Sequence, residues 1–157
     1  MPTNAVPSSN DVDGHDSCCV ADLRVSTTIA KVIEARFDDE RALVHGSKHV
    51  DARKSALLTR LADERRRFSE ELERLTGPID RGTLGSWLPW ELSDNLRARV
   101  LGRSTEAVAA CRRSQHRTEA RYAKALELPL PTALHAALVA QHSRVHHAAR
   151  ELAEIAR

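Results

Sequence analysis

Four stretches of about 25 residues each repeat apolar side chains at helical spacing, and this pattern constrains the fold more than any other feature. The first carries Ile29, Ile33, Phe37 and Val44, and the second Leu57, Leu61, Phe68, Leu72 and Leu75. The third carries Leu101, Val108, Cys111, Tyr122 and Leu126, and the fourth Leu134, Leu138, Val145, Ala148 and Leu152. Steps of three, four and seven place such residues on one side of a helix, at about 100° per residue. No strand-like alternation competes with them. Four helices that each own one apolar stripe bury it most simply against one another, so the expectation is an all-α, antiparallel four-helix bundle.

Punctuation sets the boundaries. Helix 1 is expected over about 22–48, ending near Gly46 to His49, and Asp51 is the expected N-cap of helix 2, over about 52–76. Gly77-Pro78 stops that helix, and Pro129 and Pro131 turn the chain between helix 3 (about 104–127) and helix 4 (about 131–156). The short connections make helices 1 and 2 one hairpin and helices 3 and 4 another. An insert helix is expected over about 86–101; at 1.5 Å per residue it reaches roughly 24 Å, enough to carry the chain along the bundle in a long crossover. Residues 1–20, rich in Pro, Ser, Asn and Asp, are expected to be a disordered tail, with residues 21–157 forming the bundle domain.

Composition narrows the function. Charged residues make up 29% of the 157 residues and the net charge is only +2, with both signs interspersed, so no strong electrostatic partner is indicated. The Arg65-Arg66-Arg67 run is followed by Glu70, Glu71 and Glu73, which points to a solvated helix face rather than a nucleic-acid surface. No apolar run approaches the roughly 20 residues of a membrane span, and no basic-then-apolar leader opens the chain. Cys18, Cys19 and Cys111 do not form a disulfide framework, so a cytoplasmic setting is expected. No phosphate-binding glycine loop, nucleophile elbow or Cys-x-x-Cys pair occurs.

Polar residues break the stripes at one height. Glu40 lies about 11 residues before the first hairpin turn and Glu64 about 13 after it; Gln115 and Gln141 stand about 14 before and 12 after the second. Glu119 and Tyr122 share the face of helix 3. Bundles place di-metal carboxylate centres in such a layer, with Glu-x-x-His motifs. Here Arg67 follows Glu64 at i+3, and Arg144 follows Gln141, where histidines belong. Amides are also weak ligands for iron. The expected polar core layer is therefore Glu40, Glu64, Arg67, Gln115, Gln141 and Arg144, with an arginine in place of metal. The alternative is a site for iron or another divalent cation built on Glu40, Glu64 and Glu119. The pairs His45/His49 and His142/His146 face away from the core and are expected on the surface.

From Val32 to Ile155 the chain resembles a family of uncharacterised bacterial ferritin-like four-helix-bundle proteins, a domain of unknown function. The segments that carry the resemblance are VIEARFDDERAL, LADERRRFSEEL, GTLGSWLPWELSDNLRARVLG, ACRRSQHRTEARYAKAL and LVAQHSRVHHAARELAEI. It implies a ferritin-like four-helix bundle with an extra short helix between helices 2 and 3. It brings no activity with it. The family has Glu where this chain has Gln115, and a His-Asp pair near Ala149-Arg150, so the resemblance does not carry a metal site across.

The expected role is therefore non-enzymatic: a bundle that acts through self-association or a protein partner, as a stress-related or structural accessory protein. In the insert helix Leu88, Leu92, Leu96 and Val100 share a face, while Trp87 and Trp90 lie off it and are the candidate interface anchors.

Overall fold

The computed structural model describes residues 14–77 and 103–156, with side chains described from residue 23. Four helices fill these ranges: α1 (Gly14–Ser47), α2 (Ala52–Thr76), α3 (Arg103–Leu126) and α4 (Thr132–Ile155). The last three start and stop within one residue of expectation. The Asp51 carboxylate accepts a 3.0 Å hydrogen bond from the Lys54 amide, which satisfies one of the free N–H groups at the start of α2. Gly77 ends that helix with φ 79°, a conformation open to glycine. Helix α1 begins eight residues before the expected position, so Gly14 to Val20, read from sequence as disordered tail, are helical. Extending an existing helix avoids the cost of nucleation, and a polar composition alone does not stop it. The insert helix expected over 86–101, with Trp87 and Trp90, lies outside the described residues.

Among the described residues α1 packs on α2 and α3, and α4 packs on α3 and α2; the backbones of the diagonal pairs do not come close. Contacts fix the directions. Thr118 Oγ1 donates to Ala35 O and Cys111 Sγ to Ala42 O, so α1 and α3 are antiparallel. Arg60 meets Glu151 and Gln141 meets Glu71, so α2 and α4 are antiparallel as well. It follows that α2 and α3 run the same way. The ends joined by residues 78–102 lie at opposite ends of the bundle, as a long crossover requires.

The apolar core is divided in two. One cluster gathers Ile29, Val32, Ile33, Phe68, Leu72, Tyr122, Ala125, Leu134, Leu138 and Val145. The other gathers Leu43, Leu58, Leu61, Ala62, Cys111, Ala148 and Leu152. At the far end of the second cluster, α1 approaches α3 so closely that a Cβ on Gly46 would stand 2.7 Å from Cys111 Sγ. The α2–α4 side is the most open of the four packed sides. No described helix is long and apolar enough to cross a membrane.

A buried ion-paired layer as the candidate functional site

Between the two apolar clusters lie Arg36, Asp39, Arg65, Gln115 and Gln141, all buried. Arg65, at the centre of α2, organises the layer. Its Nε donates to Asp39 Oδ2 at 2.8 Å, Nη1 to Glu64 Oε2 at 3.2 Å and Nη2 to Gln115 Oε1 at 3.1 Å. The planar guanidinium thus ties α1, α2 and α3 together through one side chain. Gln115 continues to α4 by donating Nε2 to Val145 O at 2.7 Å. One turn along, Tyr122 donates its hydroxyl to Gln141 Oε1 at 2.6 Å, and Gln141 Nε2 donates to Glu71 Oε2 at 2.6 Å. All four helices therefore share one hydrogen-bonded layer.

Arg36 is bound less completely. Its Nη2 donates to Arg65 O, while Nε and Nη1 have no partner, and neither does Asp39 Oδ1. Phe68 compensates in part: the guanidiniums of Arg36, Arg65 and Arg144 lie 5.2, 5.6 and 5.8 Å from its ring centre.

A path of alternating charge leads out of this layer. Arg144, 65% exposed, meets Glu64 Oε1 at 2.5 Å; Glu64, 12% exposed, meets Arg65; and Arg65 meets the fully buried Asp39. Its outer end opens on a groove of about 690 Å³ beside α2, lined by Arg60, Asp63, Glu64, Arg67, Phe68, Glu71, Arg74 and Arg144.

Burial governs the protonation of this layer. It pushes Asp39 above the usual carboxylate range, and the neighbouring Arg65 only partly opposes the shift. It also lowers Arg36 to about 10, opposed by Tyr122 and Asp39 but helped by the charge of Arg65, and raises Tyr122 to about 12 against the pull of Arg36 and Arg65. The Cys111 thiol is pushed up to about 12 by burial and by the nearby Asp39 charge, the opposite of nucleophile activation.

On α1 and α2 the interior charged residues of the layer are not the ones expected from the sequence. Gln115 and Gln141 are buried as expected. Glu40 is half-buried at the rim, paired with Arg66 at 3.0 Å, and the interior carboxylate is its neighbour Asp39. Arg67 is exposed, and Arg65 takes the interior place assigned to it. Arg144 does reach Glu64, from the surface. Val44 and Leu75, read as core, are exposed.

Glu40, Glu64 and Glu119 do not converge. Glu119 sits in the α3–α4 groove, with His146 Nδ1 at 2.6 Å and His116 Nδ1 at 3.8 Å. Among the described residues no three His, Cys, Asp or Glu side chains gather as a metal-ligand set. Two amides, and carboxylates already held by guanidiniums, do not suit the di-metal centre of ferritin-like bundles. Sequence reasoning missed Arg36, Asp39 and Arg65. A signal for them exists: Val32, Arg36, Asp39, Leu43 and Gly46 advance in steps of four, three, four and three. No family model, curated protein or solved structure matches this chain.

Proposed function

We propose that this chain is a non-enzymatic, ferritin-like helical bundle that acts by association, with a second copy of itself or with a protein partner. The observation that carries the reading is Arg65: fully buried, it binds Asp39, Glu64 and Gln115 at the height where a di-metal bundle keeps its ions. A layer of this kind fixes helix register and leaves the outer surfaces to carry function. The long-crossover connectivity supports the ferritin-like part of the reading. The tryptophans of the crossover, Trp87 and Trp90, are the anchors proposed for the association.

The test is the mass of the purified protein by light scattering, alone and after replacing both tryptophans with alanine. An assembly larger than 17.4 kDa that falls to the monomer in the double variant is the expected result for self-association. If the wild-type protein is a monomer, the partner must be another protein, recovered by the wild type and lost by the variant. An assembly or partner unaffected by the substitutions contradicts the assignment of the tryptophans.

A further inference from the structure

A second charged region lies away from the central layer, in the groove between the N-terminal half of α1 and the C-terminal half of α3. It encloses about 380 Å³. Arg24 and Lys31 line it from α1, and Arg121 and Lys124 from α3. The spacing explains the convergence: positions 24 and 31 lie two turns apart on one face of α1, and 121 and 124 one turn apart on α3. Because the helices are antiparallel neighbours, the two pairs face each other across the groove. Glu127 is the only acidic residue among the described ones lining it. Among the described residues none of the four cations makes an ion pair or a hydrogen bond. Thr27 and Thr28 add hydroxyl groups to the same walls, and Leu23 and Leu128 add apolar surface.

We infer that this groove binds a small phosphorylated organic molecule of about mononucleotide size. Four cations against one described carboxylate, Glu127, form a local positive field on a chain whose net charge is only +2. Two of them are arginines, whose forked donors fit phosphate oxygens. The threonine hydroxyls supply further donors, and Leu23, 67% exposed, offers a surface for the organic part of the ligand. A volume of this size falls at the small end of ligand sites, roughly 300–1,000 Å³. The cations of α1 span only about 10 Å, a short track for a nucleic-acid strand. The inference is independent of the association proposed above.

The experiment is calorimetric titration of the full chain with ATP, with adenosine as the uncharged control, at about 50 and 200 mM salt. The expected result is saturable binding of ATP that weakens with salt, with no binding of adenosine. Arg121→Glu combined with Lys124→Glu should lower the affinity at least about tenfold with unchanged helical circular dichroism. Arg53→Glu combined with Arg150→Glu, the same change in net charge at exposed positions outside the groove, should leave it within about twofold. ATP that fails to bind, adenosine that binds equally well, or equal losses in both variants would overturn the inference. So would binding of single-stranded oligonucleotides that tightens steadily with length, which would make the groove part of a nucleic-acid track.

Discussion

Two arginine-rich regions of this molecule use the same side chain in opposite ways. At mid-height Arg65 is fully buried and each of its nitrogens is taken up by Asp39, Glu64 or Gln115. In the lower α1–α3 groove Arg24, Lys31, Arg121 and Lys124 face one another and water, without acidic partners among the described residues. The contrast follows from solvation. A buried guanidinium costs several kcal/mol to the extent that its charge is left unpaired, whereas an exposed one keeps its hydration shell and remains available for a ligand. Paired charge holds the bundle together, and unpaired charge is left for recognition.

The largest effect that sharpens this comparison should come from Arg65. Arg65→Met strands Asp39 in the interior and should lower the unfolding free energy by about 3–5 kcal/mol in urea titration. Arg36→Met is the internal control. That side chain leaves Nε and Nη1 unpartnered, and burial depresses its pKa, so its charge is held at a cost. The methionine variant should lie within about 1 kcal/mol of wild type or above it. Equal losses at both positions would break the distinction between a paired and a poorly paired buried arginine.

A smaller effect is expected from pH at Asp39. Its folded pKa lies above its unfolded value near 3.8, so between the two the folded state holds more protons than the unfolded state. Stability from this group is complete below the unfolded value and is lost as pH rises through the folded one. Relative to Asp39→Asn, the wild type should therefore lose stability as pH rises from about 3.8. A rising difference over that window would show that Arg65 outweighs burial. The smallest effect belongs to the groove, where Arg121→Glu with Lys124→Glu should change stability by no more than about 0.5 kcal/mol.

The sequence reading reached the bundle, three of its four helix spans and the height of the polar layer, because these depend on periodicity and on distance from the turns. Helices α3 and α4 were also read with the correct face inward: Val108, Cys111, Tyr122, Leu134, Leu138, Val145 and Leu152 are all buried. On α1 and α2 the reading placed Ile29, Ile33, Leu61, Phe68 and Leu72 correctly inside but missed the interior charges, for a physical reason. Their true core faces contain Arg36, Asp39 and Arg65, and a rule that follows hydrophobicity prefers the adjacent stripe with Phe37, Val44 and Leu57. Only the neighbouring helices, which bring Asp39 to Arg65 and Gln115 to both, make those charged positions stable inside. The groove was hidden for a related reason, since its four cations lie on two helices about 90 residues apart and meet only in the folded chain.

The most direct test of the central claim is a double-mutant cycle on Arg65 and Asp39. Unfolding free energies would be measured for wild type, Arg65→Met, Asp39→Leu and the double variant, each with a chelator and with added Fe(II). The account predicts two costly single variants, a double variant less destabilised than their sum by about 0.5–3 kcal/mol, and no dependence on metal or chelator. Additive losses, or a wild type that Fe(II) stabilises and chelator weakens, would contradict it.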